Sequence, residues 1–346
     1  MAENQKTLAT GALTGTPSHA AKSSKHVAAC IWLLIATALW GISFPLIKAI
    51  WLKQHQIDPA ASSIFLAALG VCVRFGVAAV FVAFVCLRTI RQLTRAELWQ
   101  GAGLAFFGGV GILIQMDGLA YTSASISAFL TQFYCVLIPI WVACRKRTAP
   151  SLATIAGTIL VLVGVWILAG VNWRQLHIGR GEFETLIAAT FFSGQILWLE
   201  KAEFANNRTS HFTLIMLAGT ALLIFPVLLS TAPSARVCVA VYSNSSVLLM
   251  VAILICFCTL GSYTLMNAWQ KHVTATEAAL IYCFEPVAAS LFAVILPQWL
   301  SVLAKIDYAN EQITTNLGLG GSLILLANIF IQIEAAGRRS LGANSK

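Results

Sequence analysis

The sequence places one carboxylate in the middle of a long apolar stretch in its second half. Glu285 lies in the run ALIYCFEPVAASLFA, directly before Pro286 and three residues after Tyr282. Residues three apart share a helix face, and a proline leaves a backbone carbonyl one turn earlier without its helical partner. An acid in hydrocarbon is costly when ionised, which favours a proton-carrying or ligand-binding role for Glu285. The alternative is a structural role, in which Glu285 only hydrogen-bonds across helices.

Other polar side chains interrupt apolar stretches in the same way. Gln132 and Tyr134 correspond in depth to the Tyr282 and Glu285 pair, and amides or aromatic rings facing a cavity suit a small amphipathic ligand. Each tryptophan is equally compatible with a packing or interface role. The residues expected to bind a small-molecule substrate are Trp40, Ser43, Gln115, Gln132, Tyr134, Gln195, Trp198, Asn267, Tyr282 and Glu285, with Glu285 also expected to bind and release protons.

Four further polar residues in apolar stretches are not assigned to that site. Arg74 is expected to pair with a neighbour or to extend towards water. Asp117 lies close to the end of its stretch, where a gating role and a solvent-facing role are both open. Asn328 and Gln332 lie in the last apolar stretch.

These side chains must be positioned by membrane-spanning helices. The chain has 346 residues, of which 58% are hydrophobic and 10% are charged, whereas soluble domains carry about a quarter charged residues. A spanning helix needs roughly 20 mostly apolar residues. The sequence therefore predicts an all-α membrane protein with ten transmembrane helices, at 27–50, 62–87, 97–120, 123–144, 149–169, 183–202, 211–231, 246–268, 274–296 and 314–335.

The distribution of lysine and arginine predicts that both termini are cytoplasmic. The loops assigned to the inside of the first half carry nine Lys or Arg residues, among them Arg145, Lys146 and Arg147, against Lys53 outside, and such residues are enriched in cytoplasmic loops. Residues 1–26 are polar and predicted to be a disordered cytoplasmic tail, and residues 336–346 a second one. Anionic lipid accounts for the net charge of +9, so no nucleic acid partner is expected.

The chain also contains a repeated motif. Ser123-Ala124-Ser125 and Thr274-Ala275-Thr276 each precede an apolar run, and the second motif follows the first by 151 residues. The same offset, within two residues, superimposes the first predicted helix on the sixth. An odd number of helices in each copy makes the copies inverted, so five-helix repeats are predicted at 27–169 and 183–335. The alternative is a chance echo between small-residue stretches.

An intramembrane enzyme would need a metal site or an acid–base pair at membrane depth. The six histidines fall in tails, loops or the edges of apolar stretches, and the three aspartates offer no pair within the bilayer. A Gly-rich phosphate loop is missing from the sequence, which argues against an ATP-driven pump. The nine cysteines include no CxxC pair. No metal, cofactor or catalytic residue is therefore expected.

Several motifs in order resemble the EamA-like branch of the drug/metabolite transporter superfamily. They are IATALWGISFPLIKAI, Arg74-Phe75, GLAYTSASISAFLTQFYCVLIP, GTILVLVG and ALIYCFEPVAASLFA. Three features depart from the family pattern: RKRTAP after the fourth helix, the long segment after the ninth, and Asn328 in place of a glycine.

The resemblance implies a multi-pass transporter of the inner (plasma) membrane that exports a small metabolite by alternating access, with a cavity between two five-helix halves. The chemistry of the polar residues suits an amino acid, an amine or a similar solute. The expected partners are a small-molecule substrate, the lipid bilayer and protons, and a homodimer stays open. The alternative function is a facilitator or channel-like permease without proton coupling; a receptor or an intramembrane enzyme is less favoured.

Overall fold

The computed structural model describes residues 19–122, 127, 130–169 and 179–344. These ranges contain no β-strand, and their regular secondary structure is helical. The α-helices are α1 (His19–Ile57), α2 (Ser63–Cys86), α3 (Arg95–Gly118), α4 (Tyr134–Lys146), α5 (Leu152–Ala169), α6 (Arg180–Leu199), α7 (Thr209–Thr231), α8 (Ala235–Tyr242), α9 (Ser245–Ile255), α10 (Ser262–Trp269), α11 (Ala275–Tyr282), α12 (Glu285–Ala304) and α13 (Thr315–Asn344).

Six stretches are helical, apolar and long enough to cross a membrane. They are Ser24–Ile57, Ser63–Cys86, Arg95–Gly118, Thr209–Thr231, Ser245–His272 and Ala275–Ala304. Two shorter apolar helices, Leu152–Ile167 and Gly318–Ala327, lie where the fifth and tenth spans were predicted. This confirms an all-α membrane protein. The count of ten spans and the orientation of the termini stay predictions.

The ends of several helices differ from the predicted boundaries. Helix α1 begins at His19, inside the segment predicted as a disordered tail, and α13 continues to Asn344, through most of the predicted C-terminal tail. Polar residues at the end of an apolar window can continue its helix, so hydropathy alone misses them. Helix α8, Ala235–Tyr242, was not predicted because it is too short to form a membrane span.

Three of the apolar stretches do not form continuous α-helices. Helices α9 and α10 are joined by a π-helical segment, Cys256–Gly261. Helices α11 and α12 are separated at Cys283–Phe284, directly before Glu285 and Pro286. A similar break at Gln132–Phe133 precedes α4. Breaks at membrane depth expose backbone polar groups, which are tolerated where they are buried in protein or line a cavity.

The helices pack as a bundle in which the two halves of the chain interleave. Helix α1 packs along α12 and against α9, α10 and α11; α3 packs against α6 and α7; α2 packs against α7; and α5 packs against α13. The α1–α12 contact is close: a Cβ atom added to Gly41 would lie 2.6 Å from Ala288 Cβ. Small residues at such crossings let backbones approach, which strengthens van der Waals packing in lipid.

Candidate functional site

A cavity of about 90 Å³ lies among α1, α2, α3, α6 and the broken helices. Its walls carry apolar side chains with a few polar groups, as in most small-molecule sites. The lining residues are Trp40, Ser43, Phe44, Ile47, Arg74, Ile112, Gln115, Met116, Leu119, Thr131, Tyr134, Phe192, Gln195, Ile196, Tyr263, Met266, Tyr282 and Glu285.

Glu285 faces this cavity from the first position of α12. The interruption of the helix at Cys283–Phe284 places the start of α12 at the cavity. The Glu285 side chain is partly rather than fully buried. Tyr134 lines the same cavity and is the first residue of α4. The Tyr134 hydroxyl donates a hydrogen bond to Gln132 Oε1 at 2.8 Å. A carboxyl group and a phenol group thus each belong to the first residue of a helix, and both line the cavity.

Three aromatic residues form the wall next to Glu285. The ring of Trp40 meets Tyr282 edge-on at a centroid distance of 5.3 Å and Tyr263 at 5.5 Å. Edge-to-face contacts at such distances stabilise a defined arrangement of rings. The Tyr282 hydroxyl donates to Gln270 Oε1 at 2.9 Å, and Gln270 Nε2 donates to the Ile196 carbonyl at 2.8 Å. This chain of bonds connects the second-half break to α6.

Arg74 lines the cavity from α2 and is 3% exposed. Its Nε donates to the Thr259 hydroxyl, and its Nη2 donates to the Cys258 carbonyl at 2.7 Å. Both acceptors belong to the π-helical segment, where Thr259 Oγ1 also donates to the Leu254 carbonyl at 3.2 Å. The π-helical segment therefore supplies the acceptors that hold the guanidinium at the cavity wall.

Seven of the ten residues predicted to bind substrate line the cavity. They are Trp40, Ser43, Gln115, Tyr134, Gln195, Tyr282 and Glu285. Gln132 is an eighth that lies beside it, bonded to Tyr134 and next to the Glu285 carboxyl.

The structure places Trp198 and Asn267 away from the cavity lining. Trp198 packs on Gly103 near the opposite end of α3, and its indole donates to the Gln100 carbonyl at 3.1 Å. Asn267 is 1% exposed and donates to Thr213 Oγ1 at 2.9 Å, which ties α10 to α7. Both residues were predicted to bind substrate, but their side chains contact packing partners instead. The side chains of Asn328 and Gln332, and Ser123, lie outside the described residues.

Arg74 lines the cavity, although the sequence did not predict it as a substrate-binding residue. It was expected to pair or to extend towards water; it pairs, but from the cavity wall. The available signal was an arginine well inside an apolar helix, because charged groups at membrane depth usually face a bundle interior or a water-filled cavity.

A larger cavity of about 350 Å³ continues from the first. The two share Phe44, Ile47, Arg74, Met116 and Leu119 as lining residues. The larger cavity, which we call the vestibule, reaches Trp51, Gln54, Ser63 and Glu311, at the end of the bundle where α1 ends and α2 begins. The Arg74 side chain therefore lies at the junction of the cavity and the vestibule.

The two ends of the bundle each carry a network of charged side chains. Beside the vestibule, Arg180 pairs with Asp117 at 2.6 Å and with Glu184 at 2.7 Å, and Ser63 donates to Asp117 at 2.7 Å. Asp117 is 4% exposed, so the solvent-facing role considered for it is wrong.

At the opposite end, Glu97 is buried and accepts hydrogen bonds from Arg208 at 2.9 Å and contacts His211 at 3.1 Å. The hydrogen bond to Glu97 raises the pKa of Arg208 above its ordinary value. Both networks connect helices of the first half to helices of the second, α3 to α6 at one end and α3 to α7 at the other.

Comparison with known proteins finds a family match in the first half of the chain. Residues 27–170 match the EamA-like transporter family. An "Uncharacterized transporter" of Archaeoglobus fulgidus is 27% identical over 315 residues, which cover 91% of this chain and 89% of that protein. The family match and the relative support a membrane transporter, consistent with the drug/metabolite transporter superfamily.

A solved structure has a similar fold over both halves of the chain. It is described only as "Crystal structure of protein", and it superposes with a TM-score of 0.65 at 16% sequence identity. The similarity covers 90% of this chain and 98% of the other. The helical arrangement is therefore shared well beyond residues 27–170.

Proposed function

We propose that this EamA-like protein is a secondary transporter that exports a small amphipathic metabolite by alternating access, driven by proton exchange at Glu285. The observation that carries the proposal is the position of Glu285: it starts a broken helix and faces a cavity that continues into the vestibule. Discontinuous helices near the midplane form the substrate and ion sites of many secondary transporters.

The alternating-access part of the proposal rests on ten spans arranged as two inverted five-helix repeats, with both termini cytoplasmic in an inner membrane. The packing supports it, because contacts recur when the halves are exchanged. Helix α3 packs on α6 as α9 and α10 pack on α1, α3 packs on α7 as α9 packs on α2, and α4 packs on α6 as α11 packs on α1.

Proton exchange is supported by the surroundings of Glu285. A carboxyl that reaches water only through a narrow cavity can bind a proton from one side and release it after the cavity opens to the other. A substrate ammonium group would compete with that proton for the same oxygens, which would couple their movements in opposite directions. The other ionisable groups that face or lie beside Glu285 are Arg74, Tyr134, Tyr263, Tyr282 and Cys283.

The test measures flux in proteoliposomes with and without an imposed pH gradient, across a panel of labelled amino acids, amines and other small metabolites. We expect the wild type to accumulate at least one panel member when the gradient is present. Glu285→Gln keeps the shape of the side chain but cannot ionise, so it should lose gradient-driven accumulation and retain exchange or downhill flux.

Asp307→Asn is the matched control, since Asp307 is an exposed acid outside the helices and should leave accumulation unchanged. Accumulation that survives in Glu285→Gln would eliminate the coupling role. Wild-type flux that ignores the gradient would favour the second candidate, a facilitator without proton coupling, in which Glu285 and Gln132 form only a structural contact.

A further inference from the structure

Another cavity, of about 830 Å³, lies at the end of the bundle opposite the vestibule. Its walls come from the end of α4, the start of α5, the segment after α6 and the start of α11. Among the described residues, those that line it line neither the first cavity nor the vestibule. Beside it, Ile140, Trp141 and Leu152 are each more than half exposed. Because exposed apolar side chains of a membrane-embedded bundle lie against lipid, we call this cavity the lateral groove.

The walls of the lateral groove change from apolar to basic along α4. Pro139, Trp141 and Val142 line the part that lies deeper in the bundle, and Arg145 and Lys146 line the part at the end of the helix. Seven residues separate Pro139 from Lys146, which is about 10 Å at the rise of an α-helix. An apolar floor under a basic rim matches a phospholipid, in which acyl chains continue from a charged headgroup.

Hydroxyl side chains line the groove next to the basic residues. Thr148 and Ser151 lie between α4 and α5, and Thr154 lies in the first turn of α5. The Ser151 and Thr154 hydroxyls share one hydrogen bond at 2.9 Å, so one of their two hydrogens is left for another acceptor. Hydroxyl groups and guanidinium groups both donate to phosphate oxygens, and arginine does so with two parallel hydrogen bonds.

The carboxylates that line the groove are each engaged by a neighbouring group of the protein. They are Glu200 beside Lys146, Glu203 with Lys201 at 3.3 Å, and Glu277 with the Thr274 backbone N–H at 2.7 Å. These contacts reduce the negative charge that a ligand in the groove would meet.

Arg145 and Arg147 retain their full positive charge. Within the part of the chain that the structure describes, neither arginine forms an ion pair. Arg147 directly follows α4, between the groove-lining residues Lys146 and Thr148. Both arginines belong to RKRTAP, one of the departures from the EamA-like pattern. The basic rim is therefore a feature of this chain for which the cavity and the vestibule offer no role.

We propose that the lateral groove binds the headgroup of an anionic phospholipid. The Arg145 and Arg147 guanidinium groups donate hydrogen bonds to the lipid phosphate, and the acyl chains next to it pack on Trp141. This end of the bundle is predicted to be cytoplasmic, where anionic lipids attract lysine and arginine beside the membrane. The site is separate from the transported ligand, so the inference does not depend on the proposed transport function.

Net charge should separate the lipids that compete for this groove. Phosphatidylglycerol carries one negative charge, whereas phosphatidylcholine and phosphatidylethanolamine carry a cation that offsets their phosphate. A basic residue near an anionic headgroup contributes about fivefold in affinity. With two arginines, we expect a preference of about tenfold or more for phosphatidylglycerol.

The test is native mass spectrometry of the purified full-length protein in detergent, titrated separately with the three phospholipids, all with the same acyl chains. The first binding event of the wild type should be about tenfold or more tighter for phosphatidylglycerol than for either zwitterionic lipid. Glycerol 3-phosphate is titrated in parallel as a soluble source of the same phosphate chemistry. Because it has no acyl chains, it should neither bind nor displace phosphatidylglycerol at the same concentrations.

The variants then locate the site. Arg145→Gln combined with Arg147→Gln should bring phosphatidylglycerol to within about threefold of phosphatidylcholine. Arg88→Gln combined with Arg91→Gln is the matched control, because it removes two exposed arginines at the same end of the bundle that do not line the groove. This control should keep the wild-type preference within about threefold. Trp141→Ala should weaken all three lipids by a similar factor, since it removes acyl-chain packing and leaves the charge.

Several results would overturn the inference. They are equal affinity of the wild type for phosphatidylglycerol and phosphatidylcholine, a preference for phosphatidylethanolamine, or glycerol 3-phosphate that binds as tightly as phosphatidylglycerol. An equal loss of preference in both double variants would also overturn it, because that result indicates diffuse attraction to a basic end rather than a site. Thermal unfolding without lipid checks the fold of each variant. If the groove double variant does not fold, Arg145→Gln alone carries the test, with an expected loss of preference of about fivefold.

Discussion

Tyr134 and Glu285 are 151 residues apart in the chain, and each is the first residue of the helix that follows a break. Both side chains line the same cavity. The preceding breaks, at Gln132–Phe133 and Cys283–Phe284, have the same spacing as the repeated small-residue motifs. Equivalent backbone positions of the two halves therefore lie at one site. The first half contributes a phenol group there, and the second half contributes a carboxyl group.

Substitutions at the cavity should reduce transport without reducing the amount of protein in the membrane. Gln132→Leu removes the acceptor of the Tyr134 hydroxyl, and Tyr282→Leu removes both the bond to Gln270 and the ring contact with Trp40. We expect each variant to lower the initial transport rate per molecule severalfold, measured as substrate flux normalised to membrane abundance. Normal rates in both variants would show that this cavity is not the transport site.

Asn267 provides the contrast to these cavity residues. It is buried away from the cavity and bonded to Thr213, so Asn267→Leu leaves that hydroxyl without its donor. We expect a loss of stability of about 1–3 kcal/mol, seen as lower membrane abundance or a lower unfolding temperature. The rate per remaining molecule should be unchanged. A selective loss of rate would return Asn267 to the substrate site.

The crossing of α1 and α12 should not tolerate an added methyl group at Gly41. A Cβ atom there would meet Ala288 Cβ at 2.6 Å and the Ala289 backbone nitrogen at 2.8 Å, so the helices must separate. Since α12 begins at Glu285, this separation should lower both the unfolding temperature and the transport rate. Gly318→Ala adds the same group where nothing lies within 4 Å and should change neither. Equal behaviour of the two alanine variants would contradict the close crossing.

We expect the contributions of Asp117 and Arg180 to stability to depend on each other. Asp117 is buried and Arg180 is largely exposed, so Arg180→Gln leaves a buried carboxylate with Ser63 as its remaining close donor. We expect Arg180→Gln to lower the unfolding temperature, and the added Asp117→Asn to restore part of the loss, because it removes the unpaired charge. Simple addition of the two single effects would show that the pair is not coupled.

The orientation of the chain can be read with reporters. A reporter fused after Lys346 and one in the Arg145–Lys146–Arg147 loop should both be cytoplasmic, while one placed beside Arg236 should be external. An even number of spans requires the first two to agree. Termini on opposite sides would exclude ten spans and, with them, the inverted repeat.

Much of the fold could be predicted from local sequence. The apolar windows match α2, α3, α5, α6 and α7 within a few residues, because the length and hydropathy of a span are properties of consecutive residues. Helix α8 and the extensions of α1 and α13 escaped the same reasoning. Their residues are polar or too few to span, and packing rather than hydropathy decides whether they are helical.

The candidate site was predicted unevenly. Glu285 and Tyr282 could be found because Pro286 marks an interruption of their apolar stretch, and Tyr134 because it corresponds to them in depth. Trp198 and Asn267 were predicted from their positions in apolar stretches, and such a position does not say which face of a helix a side chain occupies. The π-helical segment directly before α10 makes this harder, since it shifts the positions that follow relative to an α-helical pattern.

The sequence by itself determined that this is a helical membrane protein, where most of its helices lie and which polar groups are embedded in them. A helix in hydrocarbon needs a long apolar run whose backbone groups bond internally, and both properties depend on consecutive residues. Only the tertiary structure decided that Arg74 and Glu285 face one cavity. They lie in different halves of the chain, and the packing of α1, α2 and α12 together with the acceptors of the π turn brings them to one place. Interactions between distant residues depend on helix rotation and crossing, which no local pattern specifies.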